Sequence, residues 1–217
     1  MTLLGLISDL HGDFAALQDA LRELERLGVD EVLCAGDLLD WGPSPGRCIE
    51  LLRTRGIPCV RGNHDFIDAG GELVDVPRFL DATAVAFIDS LPRTIERSIA
   101  GVRLVVTHGS PGDDQRGIYP SRGAEVGAIL ASAAAEILVV GHTHVPMNLE
   151  APQGSILNPG SVLRQPPNTA EQLRASGTFG VLELPSRRFS VHRASDGAEL
   201  DCARVPFRSG SYPRGTK

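Results

Sequence analysis

The sequence predicts an α/β fold built around a parallel sheet, and three observations carry the prediction. Apolar runs of strand length alternate with stretches of helical period over residues 2–61. Each buried run ends in a polar cluster, as ligand-binding crevices of open parallel sheets require. The 217 residues are 42% hydrophobic and 22% charged, enough apolar material for one ordinary globular core.

The elements follow in order. Residues 2–8 form a short apolar run, expected as a buried strand. Asp13 can cap the helix that follows, in which Phe14, Leu17, Leu21 and Leu24 recur at helical spacing up to Gly28, a natural stop. Residues 31–35 read as a second strand. Ser44-Pro45 opens a second helix, with Ile49 and Leu52 inward and Gly56 ending it. Residues 57–61 read as a third strand, completing β-α-β-α-β. The alternation breaks over about 66–97, where Leu80, Ala84, Phe87 and Leu91 make a helical stripe that Pro92 closes. That segment is expected as a helical insertion or lid. Residues 102–107 are another buried strand, 119–135 a loop and then an alanine-rich helix, and 137–140 a further strand. Residues 179–184 and 188–193 alternate in period two around Pro185-Ser186, an antiparallel hairpin. The Gly/Ser/Pro-rich residues 208–217 read as a frayed tail on a single domain spanning 1–207.

Composition excludes several function classes. The net charge of −6 offers no basic footprint for bulk nucleic-acid binding. No apolar stretch approaches ~18–20 residues, so no transmembrane helix is expected. Residues 1–9 read as a structural strand rather than a signal peptide. Cys34, Cys48, Cys59 and Cys202 form no C-x-x-C pair and suit reduced thiols of a cytoplasmic protein, three of them as small core residues. A homo-oligomer is left open.

The polar clusters are "SDLHG" with Asp9 and His11, "GDLLDWGP" with Asp37 and Asp40, "RGNHD" with Asn63, His64 and Asp65, "THGSP" with His108, and "GHTH" with His142 and His144. Each alone has a bland reading: a helix cap for Asp9, turn residues for Asp37, Asp40 and Asn63, a structural histidine for His108. His192, on the late hairpin, reads as a surface residue. Five of the six histidines, however, lie at strand ends, which packing does not require and a polar metal site does. Histidine and carboxylate donors without thiolate suit Mn²⁺, Fe or Zn²⁺. Asp9 and His11, like His142 and His144, are two apart and share a face if extended. Seven donors, Asn63 included, are too many for one ion with an open position and suit two ions sharing a carboxylate.

These blocks, in this order, resemble the calcineurin-like metallophosphoesterase superfamily: D-x-H, G-D-x-x-D, G-N-H-D/E, an isolated H, and G-H-x-H. "NPGSV" (158–162) and the hairpin after it look like the family's small bacterial and archaeal branch of phosphodiesterases and phosphatases. The resemblance implies a four-layer α/β/β/α sandwich of two mixed sheets, with two divalent metal ions at its edge. Mn²⁺ is the first expectation, and Fe, Zn²⁺, Ni²⁺ or Co²⁺ are alternatives. Carried over, Asp9, His11 and His144 would hold the first ion, Asp37 would bridge, and Asn63, His108 and His142 would hold the second. His64 matches the catalytic histidine and Asp40 the acid that orients it. Trp41 stands where phosphoprotein phosphatases of the superfamily often carry Arg, and its indole could stack on a base. Arg61, Arg116 and Arg122 are the candidate phosphate contacts.

The implied reaction is in-line attack of a metal-bridging hydroxide on phosphodiesters or nucleotide-derived phosphate esters, with a small nucleotide-like substrate as the partner. Alternatives are a phosphomonoesterase, protein phosphatase included, a dinucleoside polyphosphate hydrolase and, more remotely, a non-catalytic interaction scaffold. The H-x-H-x-D-H run of a metallo-β-lactamase is missing from the chain.

Overall fold

The computed structural model describes residues 1–40, 42–65, 80–164 and 177–201. Two five-stranded mixed sheets lie face to face. One has the order β10-β9-β8-β1-β2, from Glu199–Leu200, Arg188–Arg193, Thr178–Leu184, Thr2–Ile7 and Glu31–Cys34. The other has the order β3-β4-β5-β7-β6, from Thr94–Ile99, Val102–Thr107, Ile137–Val139, Gly154–Asn158 and Met147–Ala151. β1 runs parallel to β2, and β4 parallel to β5. β7 also runs parallel to β5.

Three apolar clusters define the layers. Leu4 and Leu6 of β1, Leu33 of β2, Leu104 and Val106 of β4 and Ile137 and Val139 of β5 pack between the sheets. The opposite face of the first sheet packs Ile7 and Cys34 against α1 (Phe14–Leu27), α2 (Pro45–Thr54) and α3 (Ala82–Ser90). The opposite face of the second packs Val105, Leu138 and Ile156 against α4 (Val126–Ser132). This is the four-layer α/β/β/α order. Strands buried on both faces explain the continuous apolar runs of the sequence, since each residue finds a sheet or a helix whichever way it points. Each fully buried Leu or Ile removes enough apolar area for about 1.5–3 kcal/mol.

The helix ends follow the sequence. Asp13 caps α1, its Oδ1 accepting from Ala16 N at 3.0 Å, and Gly28 closes it in the left-handed region at φ 72°. Pro45 is the first residue of α2. Asp81 caps α3, accepting from Ala84 N at 2.8 Å. No helix among the described residues is long and apolar enough to cross a membrane.

Four expectations are corrected. Residues 57–61 make no full strand but a single parallel bridge, Cys34 to Cys59. Pro58 has no N–H to extend the ladder, and Arg61 N–H leaves it to donate to Pro92 O. Residues 94–99 belong to β3, antiparallel to β4, and not to a helical insertion. Residues 147–158 form a hairpin of β6 and β7 that is not among the expected elements. His192 is buried rather than on the surface: its ring stacks on Phe179 at 5.4 Å, and its nitrogens meet Ser190 Oγ at 2.8 Å and Gly197 O at 3.1 Å. Cys34, Cys48 and Cys59 are free and buried, as expected of core residues. Trp41, residues 66–79, Cys202 and the expected tail at 208–217 lie outside the described residues.

Candidate metal centre

The polar clusters meet where the two parallel strand pairs end. Asp9 and His11 follow β1, Asp37 and Asp40 follow β2, His108 follows β4, and His142 and His144 follow β5. Asn63 and His64 follow the short bridge at Cys59.

The backbone there is strained. Asp9, His11, Asp37, Asp40, His142 and His144 all have positive φ, between 43° and 84°. Each costs on the order of 1 kcal/mol or more for a non-glycine residue. The paired donors of D-x-H and H-x-H are thus brought together by left-handed turns and not by extended chain, which corrects the expectation of a shared strand face. Inter-loop hydrogen bonds hold the turns: Asp9 N–H donates to Gly36 O at 2.9 Å, and His11 N–H to Asp37 O at 3.0 Å. The loops approach so closely that a Cβ on Gly62 would stand 2.1 Å from Asp37 Oδ1, and one on Gly141 would stand 1.9 Å from Ser8 Oγ. Glycine is needed at both for that reason.

The donor atoms form two groups. In the first, His144 Nε2 lies 3.3 Å from Asp9 Oδ1 and 3.1 Å from His11 Nε2. In the second, Asn63 Oδ1 lies 2.9 Å from His108 Nε2 and 2.7 Å from His142 Nδ1. Asp37 stands between them, its Oδ2 at 3.2 Å from His108 Nε2 and 3.7 Å from His11 Nε2. The two imidazoles of "GHTH" therefore diverge, one into each group. Two triads, Asp9–His11–His144 and Asp9–Asp37–His108, bring their ligand atoms within 4.8 Å of one another.

The outer atoms of two rings are already committed. His11 Nδ1–H donates to Leu39 O at 2.9 Å and His108 Nδ1–H to Ala35 O at 2.7 Å, which turns each Nε2 inward. Asp9, His11, Asp37 and His108 are buried, whereas Asn63, His64, His142 and His144 are half-buried and line the open side. At that mouth His64 Nδ1 pairs with Asp40 Oδ2 at 2.8 Å, both side chains about a third exposed (32% and 35%). The His64 ring is 5.1 Å from that of His11.

Electrostatics shows what this packing costs without a cation. Burial would raise the Asp9 carboxyl, but His144, His108 and His11 outweigh it and hold it well below the usual carboxylate range. Asp37 is likewise lowered against its burial, chiefly by His108. Burial works to lower His108, and Asp37 overrides it and pushes the ring up to about 10. His144 is raised by Asp9 against its burial, whereas burial lowers His11 and His142. Inward-facing ring nitrogens 3.1 Å apart, beside two buried carboxylates, are an arrangement that a divalent cation satisfies and packing alone does not. A nitrogen and oxygen donor set without sulfur fits Mn²⁺, Fe or Zn²⁺.

The three arginines expected to contact phosphate stand as follows. Arg61 Nη2 donates to Ile88 O at 3.1 Å and pairs with Asp89 at 3.2 Å, at the end of α3. Arg122 pairs with Glu125 on its own turn, and Arg116 is exposed.

Three supporting residues are not evident as such from the sequence. Asp65, fully buried, accepts from Leu38, Leu39 and Gly62 N–H. Asn158 Nδ2 donates to Gly141 O at 2.7 Å, and Ser161 Oγ donates to Asp9 O at 2.8 Å. The signal that could find them is a polar residue set directly against a buried apolar run.

Residues 2–186 match the family model of the calcineurin-like phosphoesterase superfamily domain. The chain is 28% identical over 190 residues to an uncharacterised protein of Methanocaldococcus jannaschii, covering 74% of this chain and 76% of that one. A stretch of 61 residues is 39% identical to serine/threonine-protein phosphatase 1 of Salmonella typhimurium, spanning 28% of either chain. Among solved structures, a metallophosphoesterase from Sphaerobacter thermophilus superposes with a TM-score of 0.71 at 25% identity, over 88% of this chain and 87% of that one.

Proposed function

The chain belongs to the calcineurin-like phosphoesterase superfamily and is a hydrolase of phosphate esters, and on that premise we propose that it uses two divalent metal ions to cleave phosphodiesters or nucleotide-derived phosphate esters. The observation that carries this reading is the position of Asp37 between two donor groups, its Oδ2 facing both His108 and His11. Asp9, His11 and His144 would hold one ion, Asn63, His108 and His142 the other, and Asp37 both. When bound, the ions supply Lewis acidity toward phosphoryl oxygens and lower the pKa of water for use as the nucleophile. The family resemblance makes Mn²⁺ the first candidate, and the nitrogen and oxygen donor set also fits Fe, Zn²⁺, Ni²⁺ and Co²⁺.

The chain's own residues do the rest. His64 stands at the half-exposed mouth, where a leaving group can reach its Nε2. Asp40 accepts the Nδ1–H and orients the ring, leaving Nε2 to serve the departing oxygen. The carbonyls of Leu39 and Ala35 hold His11 and His108 in place. The substrate is a small, nucleotide-like phosphate ester.

A phosphomonoesterase is the second reading, supported by the 61-residue stretch that is 39% identical to a serine/threonine-protein phosphatase. One experiment separates them: turnover of a phosphodiester, a monoester and a dinucleoside polyphosphate with Mn²⁺, Mg²⁺, Zn²⁺ and Fe²⁺ in turn. The diester or a nucleotide-derived ester should be turned over fastest. A monoester preferred with every metal would overturn the first reading.

A further inference from the structure

Among the described residues, Asp65 is the fully buried carboxylate beside the centre that belongs to neither donor group. Its side chain spans two loops. Oδ1 accepts from Leu38 N–H at 2.8 Å and Leu39 N–H at 3.1 Å, in the loop that carries Asp37 and Asp40. Oδ2 accepts from Gly62 N–H at 2.9 Å, in the loop that carries Asn63 and His64. A second bond runs the opposite way: His64 N–H donates to Asp37 Oδ1 at 2.9 Å. Each loop thus grips the other's backbone with a carboxylate, and the His64–Asp40 pair stands directly on this brace.

The chemistry requires a carboxylate. All three partners are N–H donors, so both oxygens must accept. An asparagine would turn its NH₂ toward one loop or the other, setting a donor against a donor. Burying an anion with only neutral partners is costly. A residue needed only to fill space would carry no such cost.

We infer that Asp65 is a positioning residue: by bracing the 37–40 loop against the 62–65 loop it holds His64 and Asp40 in line with the reacting centre, and it acts on turnover through His64. The inference rests on the phosphoesterase reading above.

The test is a double-mutant cycle on the metal-loaded full chain, with one diester bearing a nitrophenolate leaving group and one bearing an alkoxide. Asp65→Asn should retain both metals by elemental analysis. It should lower kcat on the alkoxide substrate by roughly 10–100-fold with KM little changed, and affect the nitrophenolate substrate much less. Added to His64→Ala, it should cost almost nothing further. Asp65→Glu, which keeps charge and acceptors but lengthens the brace by one methylene, should show the same split at smaller size. It serves as the probe should Asp65→Asn not fold. Equal losses on both substrates, losses that multiply with His64→Ala, or loss of metal would overturn the role. A wild type inert on every ester with every metal would overturn the functional reading itself, an outcome distinct from an active wild type with additive losses.

Discussion

His64 Nδ1 lies 2.8 Å from Asp40 and its ring 5.1 Å from that of His11, close to the donor groups but outside both. A proton donor so placed should matter to turnover and not to metal content. His64→Ala is expected to keep both metals and to lose on the order of 10²–10⁴-fold in kcat with an alkoxide leaving group, and far less with a nitrophenolate. Metal analysis beside kinetics checks this, and loss of metal in the variant would refute it. The donors invite a second comparison. Asp37 faces both groups, whereas His144 and His142 face one each. Asp37→Asn should therefore lower occupancy of both sites, and His144→Ala or His142→Ala that of one. Titration calorimetry counts the ions, and equal depletion by all three variants would refute the two-site division. At this scale the donors are legible in the sequence because each is a polar residue at the end of an apolar run. Asp65, Asn158 and Ser161 are visible as polar residues in or beside those clusters, but their supporting role is not, because it rests on backbone atoms of other loops that the sequence does not bring together.

Elements are legible where both period and punctuation are clear. α1 shows Asp13, an apolar stripe and Gly28, and the structure has all three. β3 is hidden by the opposite cause: Leu91, Ile95 and Ile99 are spaced by four, so the strand extends the helical stripe of α3. Among the described residues it is an edge strand, paired with β4 alone, and Ile95 is its one buried residue, too few to reveal a period of two. β6 shows alternation, with Met147 buried and Asn148 and Glu150 exposed, but the short turn to Gly154 is overshadowed by the motif just before it. The cap on α1 can be tested alone. Asp13 Oδ1 serves Ala16 N–H, and Oδ2 accepts from Arg164 N–H at 3.1 Å. Asp13→Ala should cost about 1 kcal/mol of unfolding free energy with the kcat of the metal-loaded protein unchanged, as measured by denaturant titration. A neutral effect on stability would show that the cap is idle.

Across the molecule, the donor groups join two sheets. Asp9 and Asp37 come from the first sheet, and His108, His142 and His144 from the second. Without metal, that seam is held by carboxylate–imidazolium attraction, which depends on protonation. His108 has its folded pKa raised to about 10, against ~6.5 unfolded, and His144 is raised as well. A histidine so raised contributes stability that is fully present below pH ~6.5 and is lost as pH climbs through its folded value. Asp9 and Asp37, both lowered, contribute above ~3.9 and lose that contribution only in acid. His11 and His142 are lowered, so they oppose folding as pH falls below ~6.5 and complicate only the acid limb. On the alkaline side the buried Cys48 and Cys59 thiols, the first pushed up chiefly by burial and the second by Cys34 and by burial, also cost stability above pH ~8.5, but they do so with or without metal, so the difference between the two forms isolates His108 and His144. Chelator-treated protein should lose Tm steadily from about pH 7 to about pH 10. Bound metal needs the rings neutral, so it replaces the proton and removes that dependence; at about 100-fold over its Kd it also adds about 2.7 kcal/mol. Metal-loaded protein should therefore melt higher and with a flatter profile over the same range. Scanning calorimetry of the two forms across that range decides the matter, and parallel profiles would mean that the seam between the sheets does not depend on protonation of this cluster.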